Sequence, residues 1–300
     1  MGSTEQAWPA DGIDAVGVVL ADGDVAVAAG TDDQIRVVGL AGRDRLAAVG
    51  LERAEQVGNW LIVHVMGRHT GEPVTVYLPR TKQWQIDVST AHGDVEVSEV
   101  DGRLRLMTGQ GDVHVAHCRG LFHVSAGAGD IELEHCRQTA VPAALTAPED
   151  TNDAGGAAGH ERAGWLAAPA RSIAAAMETL ERRLARLPGR NAPGDDAGVV
   201  IHGGSGDIQL NDIDLTACSI RLGRGDVSLA GARVGALRVA VGQGDIECTE
   251  ATPLGPWDIE TVQGDISLEL PAETPARFDV ATSHGSIHSA APLVRVARPG

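Results

Sequence analysis

A short stretch of alternating apolar and polar residues recurs eight times along this chain, each time around a central glycine. Successive glycines are separated by 18, 18, 77, 19, 19, 20 and 21 residues. An aspartate follows the glycine in seven copies, and Ser286 follows it in the last. The glycines are Gly93, Gly111, Gly129, Gly206, Gly225, Gly244, Gly264 and Gly285. A nearly constant period is typical of stacked structural repeats, so this pattern limits the fold more than any other feature.

The residues around each glycine predict two short β-strands per repeat. In the first copy Ile86 and Val88 precede the Gly93 corner, and Val95 and Val97 follow it, with polar residues between them. Period-2 alternation indicates half-buried strands, and stacked coils would bury the apolar rows against one another. Glycine permits the backbone angles that a tight corner needs, and the aspartate is expected to cap that corner.

The whole pattern predicts an all-β fold, a flattened parallel β-solenoid of about eight two-strand coils. Its first part is predicted at 86–137 and its second part at 199–300, because the columns resume in register at Val199. The long 77-residue step places an insertion at 138–198.

Residues 1–85 are predicted to form an N-terminal antiparallel β-sheet that caps the first coil. Five alternating segments are separated by turn signals such as Asp22-Gly23 and Gly58-Asn59. A cap is expected because an open solenoid end exposes strand edges that pair with other chains. The five segments are Val16–Leu20, Val25–Ala29, Ile35–Val38, Leu61–Val65 and Val74–Leu78.

The insertion is predicted to be a flexible segment with one helix at about 170–187. Pro169 suits the start of this helix, and Pro188-Gly189 ends it. Its apolar residues form one narrow stripe, which either packs on the solenoid or contacts a protein partner or a second copy of the chain. The stripe consists of Ile173, Met177, Leu180, Leu184 and Leu187.

Polar residues between the apolar columns are expected to point outward and form a ladder that a partner could bind. The ladder includes Glu96, His114, Glu132, Gln209 and Glu247. The formal net charge of -17 argues against nucleic-acid binding, which needs a basic face. A protein partner is therefore expected, with no cofactor and no metal.

The acidic corner residues have two interpretations. Turn capping is favoured, because the known calcium-binding β-roll has a different period and spacing; a calcium site is the alternative. These residues are Asp94, Asp112, Asp130, Asp207, Asp226, Asp245 and Asp265. The four cysteines (Cys118, Cys136, Cys218 and Cys248) fall in apolar columns, which predicts a structural role in the core.

The amino-terminal residues show neither a basic start nor an apolar core, and no run approaches the ~20 apolar residues of a membrane span. The expected location is the cytoplasm, or the cell surface if a leader was removed.

The Gly-Asp-Val/Ile repeats, preceded by Val76-Tyr77-Leu78-Pro79, resemble the bacterial putative-adhesin β-strand-repeat family. The resemblance covers about 12–137 and 199–296, and it implies a β-solenoid of unknown function with no catalytic residues. The predicted function is a non-enzymatic binding or scaffold module. One alternative is a self-assembling filament subunit resembling bactofilins. The other is a carbohydrate-active β-helix enzyme that uses glutamates such as Glu132 and Glu247.

Overall fold

A computed structural model describes residues 4–40, 52–68, 72–139, 198–271 and 277–290. These ranges consist of β-strands, turns and irregular connections and contain no helix, which confirms the all-β prediction for this part of the chain. The predicted helix at about 170–187 and its apolar stripe lie outside the described residues.

The strands of the described residues follow the short alternating segments of the sequence. In chain order they are β1 (Thr4–Pro9), β2 (Ala15–Asp22), β3 (Val25–Gly30), β4 (Gln34–Leu40), β5 (Glu52–Val57), β6 (Trp60–Arg68), β7 (Val74–Pro79), β8 (Trp84–His92), β9 (Val95–Ser98), β10 (Asp101–Gln110), β11 (Val113–Ala116), β12 (Arg119–Ala128), β13 (Ile131–Glu134), β14 (Arg137–Gln138), β15 (Val199–Ser205), β16 (Ile208–Asn211), β17 (Asp214–Arg224), β18 (Val227–Ala230), β19 (Arg233–Gln243), β20 (Ile246–Thr249), β21 (Thr252–Pro253), β22 (Trp257–Gln263), β23 (Ile266–Leu268), β24 (Phe278–His284) and β25 (Ile287–Ser289).

The described strands form two sheets that enclose one hydrophobic core. The 12-stranded sheet has the order β1-β4-β7-β3-β9-β11-β13-β16-β18-β20-β23-β25. The 13-stranded sheet has the order β24-β22-β19-β17-β14-β12-β10-β8-β2-β6-β5, with β15 beside β12 and β17 and β21 beside β19. From β8 onward the chain crosses from the 13-stranded to the 12-stranded sheet at each Gly-Asp corner and at the final Gly-Ser corner, and neighbouring strands in each sheet run parallel.

The apolar columns stack in register as the repeat predicts. Leu104 lies opposite Ile86 on one side and Phe122 on the other, and Val113 lies between Val95 and Ile131. All of these side chains are buried. Aliphatic side chains therefore fill the space between the two sheets, and the residues that alternate with them lie on the outward faces.

The predicted N-terminal antiparallel cap is only partly right. Of its five strands, β4 has antiparallel partners alone, β6 and β7 each have one parallel and one antiparallel partner, and β2 and β3 have parallel partners alone. β2 pairs in parallel with both β6 and β8, and β3 pairs in parallel with both β7 and β9. The parallel stack thus begins two strand pairs earlier than predicted, and its order in space differs from its order in the chain. Alternation specifies which residues face the core but not the strand direction, so the sequence pattern could not distinguish the two arrangements.

Antiparallel pairing among the described residues is confined to three strand pairs at the amino-terminal end of the stack, in which β1, β4 and β5 are the added strands. β4 pairs with β7, β1 pairs with β4, and β5 pairs with β6. These strands cover the edges of the outermost parallel pair, which is the role expected of a cap.

The long insertion separates two strands, β14 and β15, that both lie between β12 and β17 in the 13-stranded sheet. Arg137 of β14 lies opposite Asp214, and Val199 of β15 lies opposite Cys218, both on β17. Only three positions of β17 separate Asp214 from Cys218, and Gln138, Thr139 and Gly198 are the three residues that match them. The ladder therefore continues across residues 140–197 without a gap. The predicted insertion boundary at residue 138 is slightly early, since Gln138 belongs to β14.

Candidate functional site

The outward face of the 12-stranded sheet carries the polar ladder expected from the sequence. Parallel pairing places Glu96 beside His114, His114 beside Glu132, and Glu132 beside Gln209. Ser228 then separates Gln209 from Glu247. Glu96, Gln209 and Glu247 are exposed, whereas His114 and Glu132 are half-buried. The five predicted residues thus share one column.

The half-buried part of this column brings a histidine and two glutamates together. His114 Nε2 lies 4.0 Å from Glu132 Oε2 and 3.6 Å from Glu134 Oε2. The three possible ligand atoms all lie within 4.8 Å of one another, and no other described group of three His, Cys, Asp or Glu residues could hold a metal ion. This His114/Glu132/Glu134 cluster is therefore the strongest candidate site for chemistry on the face.

Glu134 is the member that the sequence analysis missed. It lies two residues after Glu132 on β13, so both side chains leave the same face of the strand. Its neighbour on β11 is the small Ala116, which follows His114 by two residues. A diagonal contact between Glu134 and His114 is within reach of a long side chain. The repeat spacing fixes the position of Glu134 in its strand, but the contact of its side chain with His114 depends on side-chain conformation, which the spacing does not predict.

A second corner, six residues after the repeat glycine, holds non-glycine residues in the left-handed region. Glu99, His117, His135, Asp212 and Glu250 have φ between 51° and 58°. The rings of His117 and His135 are stacked with centroids 4.8 Å apart, and His135 Nδ1 lies 3.6 Å from Asp212 Oδ2. No sequence signal marks this column, because its members share no residue type.

A cleft of about 310 Å³ lies beside this second corner, where β7 and the β7–β8 connection meet β10 and β12. Arg80 pairs with Glu99 at its rim. Lys82 donates to the carbonyl of Ala10 and to Asp14, and its Nζ lies 4.4 Å from the centre of the Trp84 ring. Two of its cations are thus already engaged by protein groups, which makes the cleft a weak candidate for binding an anion.

The corner aspartates make a continuous hydrogen-bonded ladder. The Oδ1 atom of Asp94 accepts the backbone N–H of Asp112 at 2.9 Å, and the Oδ1 atom of Asp112 accepts that of Asp130 at 2.8 Å. The same contact continues to Ser286. Each carboxylate therefore caps the corner of the following coil rather than its own. Within the described residues this column brings no three ligand atoms together, so its geometry offers no calcium cage.

The four cysteines lie in the core, as their columns predict, and none forms a disulfide. Burial raises the pKa of Cys118, Cys218 and Cys248 to about 12 and that of Cys136 to about 11. These thiols are therefore protonated at neutral pH and are poor nucleophiles. Burial also lowers the pKa of His64, which favours a neutral imidazole there.

The described residues contain no helix that is long and apolar enough to cross a membrane.

Comparison with known families gives a match along nearly the whole chain. The family described as Toastrack DUF4097 matches residues 13–297. No curated protein matches the chain. A solved structure of a putative adhesin from Parabacteroides merdae ATCC 43184 is 12% identical, with 96% of each chain covered and a TM-score of 0.41. A putative adhesin from Bacteroides fragilis NCTC 9343 is 11% identical, with 96% of each chain covered and a TM-score of 0.39.

Proposed function

Because the chain belongs to the Toastrack DUF4097 family, we propose that it is a non-enzymatic module that binds a protein partner. The binding surface is the outward face of the 12-stranded sheet. The observation that carries this proposal is the in-register polar ladder from Glu96 through Gln209 to Glu247. The family match supports a binding or scaffold role and is the resemblance expected from the repeats.

The stacked backbone makes this face suitable for recognition. Neighbouring strands fix the ladder residues at a spacing of about 4.8 Å, so their positions are set before a partner arrives. A preordered surface loses less conformational entropy on binding than a flexible one. Several of the ladder side chains are glutamates, and the chain carries a net charge of -17. A partner with a cationic surface would complement this face and be attracted to it.

A charge-reversal experiment tests the proposed surface. The full chain, an E96R/E247R variant and a control D11R/D33R variant are used to capture proteins from the source organism, with quantitation by mass spectrometry. Asp11 and Asp33 are exposed residues in turns away from the ladder, so the control makes the same change in net charge. We expect a partner that the wild type and the control retain and the ladder variant loses. Equal retention by all three proteins would contradict the proposal.

The filament alternative is less well supported by the amino-terminal end of the stack. At the amino-terminal end, β4 pairs antiparallel with β7 and β5 pairs antiparallel with β6. End-to-end stacking would need a free parallel edge there, as in the interior of the solenoid. We expect the mass measured by light scattering to stay constant with concentration, whereas continuous growth would favour the filament.

The carbohydrate-active alternative is weakened by the spacing of its candidate glutamates. Glu132 and Glu247 are three coils apart, through Gln209 and Ser228. At about 4.8 Å per coil, their backbones are about 14 Å apart. Paired glycosidase carboxylates usually lie about 5 to 10 Å apart. We expect no turnover on a panel of polysaccharides, and turnover abolished by Glu132→Gln would restore this alternative.

A further inference from the structure

We propose that His114, Glu132 and Glu134 bind one divalent transition-metal ion, such as Zn²⁺, on the outward face of the 12-stranded sheet. The site goes beyond the proposed protein binding and does not depend on it. It joins two neighbouring strands, since His114 lies on β11 and both glutamates lie on β13.

The distances between the three side chains suit a shared ion. Zinc binds imidazole nitrogen and carboxylate oxygen at about 2.0–2.2 Å, so two ligand atoms in a tetrahedral site are about 3.4 Å apart. The separations of His114 Nε2 from the glutamate oxygens are 3.6 and 4.0 Å. All three ligand atoms lie within 4.8 Å of one another. An ion between them would therefore require the most distant pair to approach by up to about 1.4 Å, which rotation of the glutamate side chains can supply.

The nitrogen of His114 provides an independent indication. Its Nε2 atom has less than 1 Å² of exposed surface and no hydrogen-bond partner. A buried polar atom without a partner is uncommon, because it loses its contacts with water and gains nothing in return. The two nearest carboxylate oxygens are too distant for hydrogen bonds. A metal ion would supply this nitrogen with a ligand bond and would neutralise the two adjacent carboxylates.

The donor set indicates the class of ion. One imidazole and two carboxylates suit zinc and other first-row divalent transition ions, whereas calcium and magnesium prefer an all-oxygen environment. Three protein ligands leave at least one coordination position for water or for a side chain of another molecule. The side chains of the cluster are 36–40% exposed, so the cluster lies at the protein surface, although the Nε2 atom of His114 is itself covered.

The neighbouring residues show how the fold permits this cluster. Glu134 lies opposite Ala116, whose small side chain leaves room for the glutamate to lean toward His114. In the adjacent coils the positions equivalent to His114 and Glu134 hold Glu96 and Asn211, so the three-ligand arrangement does not repeat along the ladder. The site is therefore a local feature of two coils.

The proposal is tested by titrating the full-length protein with Zn²⁺ alone, followed by isothermal calorimetry and by thermal unfolding. The site variants are His114→Ala and Glu134→Gln, which change partly exposed side chains and leave the core intact. The controls are Glu96→Gln, on the neighbouring coil, and the double variant H117A/H135A, which removes the stacked imidazoles at the second corner.

We expect the wild type to bind one Zn²⁺ at this site and to unfold at a higher temperature when the ion is present. Each site variant should weaken binding by about tenfold or more, because even residues that only support metal ligands contribute 10–100-fold. The controls should bind within about twofold of wild type. No Zn²⁺ binding by the wild type would overturn the proposal. Binding that survives both site variants, or that is lost only in H117A/H135A, would also overturn it.

Discussion

The carboxylate of Asp130 accepts a hydrogen bond from the backbone N–H of Asp207, with 2.7 Å between Oδ1 and N, across 77 residues of sequence. The same bond joins every other neighbouring pair of described corners, from Asp24 and Asp94 to Asp265 and Ser286. The contact at Asp130 is indistinguishable from the others although an insertion lies between its partners. This ladder therefore follows the stacking of the coils and not their order in the chain.

Substitution of one corner aspartate should destabilise the stack of coils. The Oδ1 atom of Asp226 accepts the N–H of Asp245 at 2.8 Å, and Asp226→Ala removes this acceptor. We expect the free energy of unfolding to fall by about 1.5–3 kcal/mol, the usual net contribution of a hydrogen bond to a charged group. Chemical denaturation of the two proteins measures the difference.

Two further variants separate the hydrogen bond from the charge. Asp226→Asn keeps an acceptor oxygen at the same position and should cost less than Asp226→Ala. Asp33→Ala removes one exposed carboxylate away from the ladder and should change stability little. Equal losses in Asp226→Ala and Asp33→Ala would show that the ladder bond contributes nothing.

The corner glycines should tolerate no side chain. Gly244 has φ of 144°, and a Cβ atom there would lie 1.9 Å from the carbonyl oxygen of Gly225. Gly244→Ala therefore combines an unfavourable backbone conformation with a backbone clash, and we expect a loss of about 3 kcal/mol or more. The matched control is Gly58→Ala, where φ is 62° but no atom lies within 4 Å of the added Cβ. This control should lose only about 1–2 kcal/mol. Similar losses in the two variants would mean that the close approach of neighbouring corners is unimportant.

The repeat columns were sufficient to predict the stacked coils, because each column combines a fixed spacing with one chemical type. Gly23-Asp24 fits the same columns, with Val18 and Val25 at the usual positions, yet the sequence analysis assigned it to an antiparallel cap. The next repeat glycine is Gly93, and the β6–β7 pair that intervenes in the chain lies on the outer side of β2 and β3. A repeat search assumes that neighbours in sequence are neighbours in space, and this chain departs from that order at its amino end.

The candidate site was only partly predictable for a different reason. The register of parallel strands placed His114 beside Glu132, as the period of the repeat requires. The approach of Glu134 to His114 depends on the small Ala116 and on the bending of a long side chain, and neither has a periodic signature. Likewise, the left-handed residues Glu99 and His117 look like ordinary surface residues in the sequence.

The cysteines should resist alkylation while the protein is folded. Burial raises the pKa of Cys118 and Cys218 to about 12, from an ordinary value of 9.0. Almost no thiolate is then present at pH 8, and buried sulfur is also inaccessible to reagent. We expect no iodoacetamide adducts by mass spectrometry in native buffer and four adducts per chain in denaturant. Ser267 is exposed and lies beside Glu247 in the outward polar ladder, so a Ser267→Cys variant should add one rapidly labelled site. Native labelling of any of the four natural thiols would contradict their placement in the core.

The same raised pKa values predict a loss of stability at alkaline pH. Thiols that ionise near pH 9 in the unfolded chain remain protonated in the folded chain up to about pH 11–12. The unfolded state therefore loses protons first, and stability should fall as the pH rises above 9. Thermal unfolding at pH 8, 9 and 10 tests this, with Cys218→Ala as the variant that should show a weaker pH dependence. An unchanged slope in that variant would exclude a contribution from Cys218.

Removal of the insertion should leave the solenoid intact. Thr139 and Gly198 lie opposite consecutive residues of β17, and the side chain of Gln138 accepts the N–H groups of Thr216 and Ala217 at 2.9 and 3.1 Å. Deleting residues 140–197 and joining Thr139 to Gly198 through a short linker should therefore preserve the strand line and change the unfolding temperature little. A large loss of cooperativity would show that the deleted residues stabilise the stack.

The same deletion tests whether the predicted helix stripe mediates self-association. Light scattering on the full chain and on the deletion variant gives the solution mass of each. If the stripe from Ile173 to Leu187 joins two copies, the full chain should be a dimer or larger and the deletion variant a monomer. The full-length variant L180E/L184E is the matched control, since it disrupts the stripe without shortening the chain and should give the same monomeric mass. Equal masses for the full chain and both variants would remove self-association through the stripe and leave the outward face of the 12-stranded sheet as the proposed contact surface.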